Sequence, residues 1–319
     1  MQTDIYTECS PEEMYMVRDE FFAKPPKEKV IAQMYTLQQG GVMTDKISRY
    51  YFRDLMSKVQ VKTAKWTVDD VFSNPQIFGH FKAMIESNPR VFRDYESETR
   101  KIFTAIRLGG AGYAKFPTQF PMRTANAILR KYNINGNYYD FSCGWGTRLL
   151  SSLTNGINYF GTDPNYLLVE RLNALAVDYR HNVSSFASVD IRSHGSQFFV
   201  PEWENTMGLA FSSPPYFDLE DYKIGDQSYT PSTTYDEWLS TYLRPTITHI
   251  YQYLIDGGIC AINIKNIPGY PCADDANAII QSLPFNLIAE ETLHQERRTK
   301  STGGKTDSTH ETIFVYRKH

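Results

Sequence analysis

The chain has 319 residues, of which 41% are hydrophobic and 22% charged, so it can bury a proper core and is not disordered over most of its length. A formal charge of −3 excludes a strongly basic general nucleic-acid binder, and any polyanion must meet a local patch. Four widely spaced cysteines, Cys9, Cys143, Cys260 and Cys272, fit neither a zinc site nor a disulfide framework, and the seven histidines show no metal-ligand spacing. The opening MQTDIYTECSPEE is polar and acidic, without a secretory pattern, and no run approaches about 18 apolar residues. The expectation is a soluble protein of a reducing, cytoplasmic compartment (the host's cytoplasm if the chain is viral).

Residues 1–112 read as a mainly helical domain. Apolar residues recur at three- and four-residue spacings over Glu12–Ala23, Lys27–Gln38, Asp45–Val59, Pro75–Glu86 and Arg93–Leu108. Pro25-Pro26, Gly40-Gly41, Asn74-Pro75 and Asn88-Pro89 separate them. A glycine-rich stretch, Leu108 to Tyr113, marks the boundary. From 113 to 319 short apolar runs alternate with helical patterns. The expected strands are Asn137–Phe141, Ile157–Thr162, Ser184–Val189, Met207–Phe211, Ile259–Ile264, Leu287–Leu293 and Glu311–Tyr316. Helical patterns at Thr147–Leu153, Tyr166–Tyr179, Tyr235–Leu254 and Asp274–Gln281 lie between them, as in a parallel α/β sheet with crossover helices. The last two strands lack a helix between them and should pair antiparallel at one edge.

Two constellations carry chemistry. The first is Tyr138 to Arg148, a strand followed by the turn Gly144-Trp-Gly146 and a helix start. Glycines let the backbone turn tightly and approach a ligand. Asp163 falls at the expected tip of the second strand, where a carboxylate can accept both hydroxyls of a ribose. Asp190 falls at the tip of the third, where it can receive the amino group of the nucleoside base. The turn lacks the third small residue of a dinucleotide fingerprint, so a cofactor with a sulfonium and an amino-acid tail fits better. Trp145 reads as a packing aromatic and Arg148 as a solvated charge.

The second is Ser213-Pro214-Pro215-Tyr216-Phe217, after the fourth strand. Two prolines fix φ and remove two amide donors, which holds the neighbouring carbonyls in one orientation. The Ser213 hydroxyl and those carbonyls can accept hydrogen bonds from an exocyclic amine, and Tyr216 offers a face for stacking. Such acceptors favour the pyramidal amine, whose lone pair can attack a methyl group in line.

Together these residues resemble class I S-adenosylmethionine-dependent methyltransferases, specifically the exocyclic-amino DNA methyltransferases. Asp140-Phe-Ser-Cys-Gly144-Trp-Gly146 is similar to that family's cofactor motif, and Ser213-Pro214-Pro215-Tyr216 to its catalytic motif, in the form of the cytosine-N4 branch. Lys115 to Pro121, with Phe120, resembles the segment that closes over the methionine end. The basic stretch before the last strand, with His310-Glu311, resembles the family's closing loop and strand. The likeness spans about residues 113–318. Ser142 stands where the family usually has Phe, the cofactor motif precedes the catalytic one, and no recognisable target-recognition domain follows.

The resemblance implies a Rossmann-like seven-stranded methyltransferase sheet behind the helical domain. Phe120, Asp140, Ser142, Gly144, Gly146, Asp163 and Asp190 would bind S-adenosylmethionine. Ser213, Pro214, Pro215 and Tyr216 would serve transfer to a flipped DNA base, cytosine N4 first and adenine N6 second, with no metal. Arg297, Arg298, Lys300 and Lys305 are an ordinary solvated loop or, beside the base, a phosphate-binding one. Target recognition would fall to the helical region or to residues 218–234. Other expectations stay open: an RNA, nucleotide or protein-amide acceptor, or a binding module without turnover. Cys272 could act as a thiolate for carbon-5 methylation, its ordinary reading being a loop cysteine.

Overall fold

The chain divides into two units, one of Met1–Val30, Asp45–Thr118 and Leu219–Ile224, the other of Ile31–Thr44, Gln119–Asp218 and Gly225–His319. The computed structural model describes residues 9–109, 113–183, 185–217, 220–221, 234–293 and 311–319.

The first unit is helical. Ser10 caps Pro11–Phe22 by accepting the Glu13 amide at 3.1 Å, Thr67 and Asp70 form a reciprocal capping box on Val68–Val71, and Asn74 with Pro75 opens Pro75–Ser87. The helix expected over Asp45–Val59 is two short helices, Lys46–Tyr51 and Arg53–Met56, because Phe52 leaves the helical region at φ −129°. A short antiparallel pair joins Gln60–Val61 to Glu220–Asp221. Phe21, Phe72, Phe78 and Phe81 fill the core, and the Arg53 guanidinium lies 4.8 Å from the Phe21 ring.

The second unit is the α/β sheet. Its strands are β1 (Asn137–Asp140), β2 (Asn158–Thr162), β3 (Val189–Arg192), β4 (Met207–Ser212), β5 (Leu254–Asn263), β6 (Phe285–Leu293) and β7 (Glu311–Lys318), in spatial order 3-2-1-4-5-7-6. The first five run parallel, and β7 enters antiparallel between β5 and β6. So the expected antiparallel pair forms, with β6 at the edge and β7 inside it. This is the Rossmann-like seven-stranded sheet, its order reversing between β1 and β4. The helices are α1 (Met122–Tyr132), α2 (Thr147–Thr154), α3 (Tyr166–Val183), α4 (Tyr235–Trp238), α5 (Arg244–Tyr253) and α6 (Cys272–Gln281). A π-helical turn, Leu239–Leu243, links α4 to α5.

The core is rich in tyrosine. Tyr138, Tyr139 and Tyr159 are buried, and each phenol has a partner: the Phe211 carbonyl at 2.7 Å, Thr162 Oγ1 at 3.1 Å and Asp140 Oδ2 at 2.9 Å. At the N-terminal ends of the strands Asn158 Nδ2 donates to Asn137 Oδ1 at 2.9 Å. Asn137 Nδ2 donates to the Thr206 carbonyl at 3.0 Å, and Asn158 Oδ1 accepts the Ser188 amide at 2.9 Å. These amides pin the register of β1 against β2.

The helix expected over Tyr235–Leu254 is interrupted by the π-helical turn and ends at Tyr253, where β5 begins five residues earlier than expected, and two further elements differ. The third strand lies at Val189–Arg192, not Ser184–Val189, because the hydrogen-bonded stretch is the alternating Val-Asp-Ile-Arg and not the more apolar run before it. Helix α1, unmarked in the sequence reading, buries Ala125, Ile128, Leu129 and Tyr132 at helical spacing. Among the described residues no helix is long and apolar enough to cross a membrane, and no group of three His, Cys, Asp or Glu could hold a metal.

Candidate functional site at the carboxyl rim of the sheet

Strand β1 ends in Asp140, which is fully enclosed. Its Oδ2 accepts from Arg148 Nε and from Tyr159 OH, both at 2.9 Å; its Oδ1 accepts from Ser212 Oγ at 2.7 Å and from the Ser142 amide at 3.3 Å. A carboxylate with four donors holds its surroundings rigidly. It shapes the turn from beneath and has no open face toward a ligand, which corrects its expected place among the cofactor contacts.

Arg148 is not the solvated charge expected from sequence. It is buried on the first turn of α2, ion-paired with Asp140, and its second guanidinium nitrogen donates to the Ser142 carbonyl. Asp140 outweighs burial and keeps this guanidinium protonated. Trp145 is buried, as a packing aromatic should be. Gly144 and Gly146 take φ of +56° and +77°, which non-glycine residues rarely adopt, so both glycines are needed for the chain to turn from β1 into α2. Gly161 of β2 lets the turn sit close, since a Cβ there would lie 2.5 Å from Cys143 Sγ.

Asp163 follows β2 at the same rim. Its Oδ1 accepts the Asn165 amide at 3.0 Å and its Oδ2 the Gly144 amide at 3.3 Å, which leaves acceptor capacity on both oxygens. Burial pushes this carboxyl from its ordinary 3.8 up to about 6, against the pull of those two amides. Across the turn Ser142 Oγ lies 3.5 Å from Tyr242 OH, which the π-helical turn delivers from the crossover after β4. Phe120 packs edge-on against Phe211 with centroids 5.4 Å apart, and the Arg148 guanidinium lies 5.5 Å from its ring.

Asp190 does not join this group. It lies two residues short of the end of β3, in register with Phe160, and the rim is reached by Arg192, whose carbonyl accepts the Asp163 amide at 3.2 Å. Both Asp190 oxygens are engaged: Arg192 Nε lies 2.9 Å away, and Arg192 Nη2 and Trp203 Nε1 donate at 3.0 and 3.1 Å. The displaced strand is the cause, and the residues beyond the true tip run from Ser193 to Gln197. In that loop Gln197 Oε1 is buried without a hydrogen-bond partner.

The outlet of β4 carries the second constellation. Ser212 Oγ, besides its bond to Asp140, lies 3.3 Å from the Ser142 carbonyl, so one hydroxyl ties this outlet to the glycine turn. Pro214 is buried, and Ser213, Pro215 and Tyr216 are half-buried. Phe217 closes the segment at φ +39°, a strained conformation for a bulky side chain. Tyr235, Trp238 and Tyr270 cage its ring at centroid distances of 5.6, 5.9 and 5.1 Å. Trp238 is fully buried.

Three residues that the sequence did not single out as site residues adjoin this outlet. Asn263, at the end of β5, donates from Nδ2 to Ser213 Oγ and to Glu311 Oε2, both at 3.3 Å. Glu311, at the start of β7, also pairs with Lys265, whose ammonium lies 5.9 Å from the Tyr216 ring. The signal was present in Asn263-Ile-Lys265, where polar residues alternate at the carboxyl end of an apolar strand. Cys272 is buried at the start of α6, in the core and not in a loop, and has no access to a substrate. Arg297, Arg298, Lys300 and Lys305 lie outside the described residues. A cleft of about 330 Å³ lined by Gln38, Leu153, Gly156, Asn158 and 185–187 opens at the opposite, amino-terminal rim, where the Asn158 amide is already committed.

No protein-family model matches the chain, and no curated protein does. Among solved structures it is similar to the [4+2]-cyclase SpnF (TM-score 0.42, 13% identity, 62% of this chain and 80% of that one). It is also similar to a SAM-dependent O-methyltransferase from Thermotoga maritima (0.39, 13%, 63% and 67%) and to the N-methyltransferase NodS from Bradyrhizobium japonicum (0.40, 8%, 62% and 93%). Likeness at this level carries no chemistry to this chain; the fold stands on its own strand order.

Proposed function

We propose that the protein transfers a methyl group from S-adenosylmethionine to the exocyclic amine of a DNA base, cytosine N4 first and adenine N6 second. The observation that carries this reading is the Ser212 bridge, which brings the outlet of β4 to the glycine turn after β1 on one rim of the sheet. The residues present fit such a cofactor. A Cβ at Gly144 would meet nothing nearer than Arg148 Nη2 at 3.7 Å, so the turn is open above its backbone, and Asp163 retains acceptors for a diol.

S-adenosylmethionine, when bound, supplies a methyl group whose bond to sulfur breaks as the bond to nitrogen forms, leaving a thioether and a nitrogen that releases one proton to solvent. Asp163 accepts the ribose hydroxyls. Ser213 and the Pro214 carbonyl orient the amine, the carbonyl accepting one of its two N–H groups, and turn its lone pair outward from the ring plane, where it can attack. The two prolines hold those acceptors without the entropy of a mobile loop. Tyr216 stacks on the base, which offsets part of the few kcal/mol that flipping costs. The buried Asp140–Arg148 pair fixes the turn, so that its geometry does not depend on the ligand.

Mass spectrometry of nucleosides from DNA incubated with protein and S-adenosylmethionine tests the reaction, with RNA in a parallel arm. N4-methylcytosine or N6-methyladenine in DNA is expected; methylation of RNA alone overturns the DNA assignment. Ser213→Ala and Tyr216→Ala should lose at least about 100-fold in turnover, the range of one positioned group, while binding S-adenosylhomocysteine like the wild type. Asp163→Ala should weaken that binding in calorimetry, and unchanged affinity would remove Asp163 from the site.

A further inference from the structure

Asn263 is buried, with 3% of its surface exposed, at the carboxyl end of β5. Its orientation is fixed by chemistry: Glu311 offers only acceptor oxygens when ionised, so the atom facing it at 3.3 Å is the amide nitrogen. The same nitrogen reaches Ser213 Oγ at 3.3 Å. The other end of the amide, Oδ1, is buried and has no hydrogen-bond partner. A buried carbonyl oxygen without a donor is costly in a folded protein and calls for a reason.

The surroundings hold the amide in this orientation. The antiparallel register that pairs Asn263 with Ile313 continues to set Lys265 across from Glu311. Lys265 holds Glu311, Glu311 holds Asn263, and Asn263 touches Ser213; on the other side the Lys265 ammonium faces the Tyr216 ring at 5.9 Å. The chain of contacts starts at Ser213 and returns to Tyr216, the two ends of the Ser-Pro-Pro-Tyr segment.

We infer that Asn263 reads the acceptor base: its Oδ1 accepts an N–H of the exocyclic amine held over Pro214-Pro215, and Lys265 and Glu311 are positioning residues for it. This rests on the methyl-transfer reading for the identity of the occupant. The Asn263 nitrogen occupies one lone pair of Ser213 Oγ, which leaves the serine hydroxyl hydrogen for a ring nitrogen, the acceptor that cytosine and adenine both present beside their amine. Ser213 and Asn263 together would then match a donor–acceptor pair that uracil and hypoxanthine, with a carbonyl in place of the amine, present reversed.

The experiment measures binding of single-stranded oligo(dC), oligo(dU), oligo(dA) and oligo(dI) to the full chain by fluorescence anisotropy, with S-adenosylhomocysteine present. Homopolymers remove the need for a recognition sequence and for flipping. The wild type should prefer oligo(dC) to oligo(dU), or oligo(dA) to oligo(dI), by about tenfold, the size of one hydrogen bond made against one stranded acceptor. Asn263→Leu should bring that ratio close to one while binding S-adenosylhomocysteine normally, and Lys265→Ala should lower it partway. A purely structural Asn263 would change affinity for all four strands alike and leave the ratio intact, which overturns the proposal. So does a wild-type ratio near one, a result that does not depend on any variant folding. Asn263→Ser, smaller and polar, repeats the test if the leucine variant is unstable. Discrimination lost in the variants while the wild type methylates no strand keeps the base-reading role and discards methyl transfer; methylation with discrimination unchanged does the reverse.

Discussion

The two rims of the α/β sheet use the same kinds of side chain to opposite ends. At the amino-terminal rim Asn137 and Asn158 use both ends of their amides, on each other, on the Thr206 carbonyl and on the Ser188 amide. At the carboxyl-terminal rim Asn263 uses its nitrogen twice and its oxygen not at all, Gln197 leaves a buried oxygen unpartnered, and Asp163 keeps open acceptors beside a glycine turn. At the amino-terminal rim the buried Asn133 Nδ2 also lacks a partner, so the contrast lies in kind: the leftover groups of the carboxyl-terminal rim are acceptors gathered beside the glycine turn, where a donor of a ligand would complete them. The cleft at the amino-terminal rim, though open, lacks that feature at its committed asparagine.

The most severe way to break the comparison is at Asp140, a carboxyl-rim group whose acceptors are all used. Asp140→Ala leaves the buried Arg148 charge without its partner and strands donors from Tyr159 and Ser212. A loss of about 3–5 kcal/mol in denaturant unfolding is expected, the range for half of a buried ion pair. Replacing both partners, Asp140→Leu with Arg148→Leu, should recover part of that stability but none of the S-adenosylhomocysteine affinity, since Arg148 also holds the Ser142 carbonyl of the turn. Recovery of both together would show that the pair is only ballast for the fold.

How much of this was legible in the sequence follows from what each signal depends on. Period and punctuation are local, so six of the seven strands of the sheet and the helices between them were visible, and the glycine turn and the prolines announced themselves by the backbone they require. The third strand was displaced because Ser184–Val189 looks more apolar than Val189–Arg192, while the sheet selects the stretch that can hydrogen-bond to β2. That slip put Asp190 at a rim it does not reach. Arg148 looked solvated because nothing local says that Asp140, eight residues earlier, will be its partner inside the core. Asn263, Lys265 and Glu311 were hidden for the same reason: their meeting depends on β7 inserting beside β5, a pairing of distant residues that no window of sequence contains.

The amino-terminal rim offers a milder test. Asn158→Ala removes the donor to Asn137 Oδ1, in a partly buried bond, and the acceptor of the Ser188 amide, in an exposed one. Unfolding free energy should fall by about 1–2 kcal/mol, and S-adenosylhomocysteine affinity in calorimetry should stay at the wild-type value. An affinity loss as large as the stability loss would mean that the two rims are not separable, and the contrast drawn between them would fail.

The finest test is a matter of sign at Asp163. Burial raises its folded carboxyl from 3.8 to about 6, with Asp140 adding repulsion and Arg148 attraction. The folded chain therefore takes up a proton before the unfolded chain does as pH falls. By linkage the stability that Asp163 contributes is greatest below pH 3.8, falls as pH rises toward about 6 and stays low above it. Ligand affinity must run the other way, because only the ionised carboxylate offers all its acceptors to a diol. S-adenosylhomocysteine should bind about tenfold more weakly at pH 5 than at pH 7, the limit for one proton over one unit below the titration. Asp163→Asn should abolish that dependence and bind the ligand weakly at both values, because its NH2 replaces one of two oxygens that both accept backbone amides. A wild-type affinity that is flat across this range would mean that Asp163 belongs with Asp140 as a satisfied structural carboxylate. The acceptors left open at the rim would then reduce to the amide oxygens of Asn263 and Gln197.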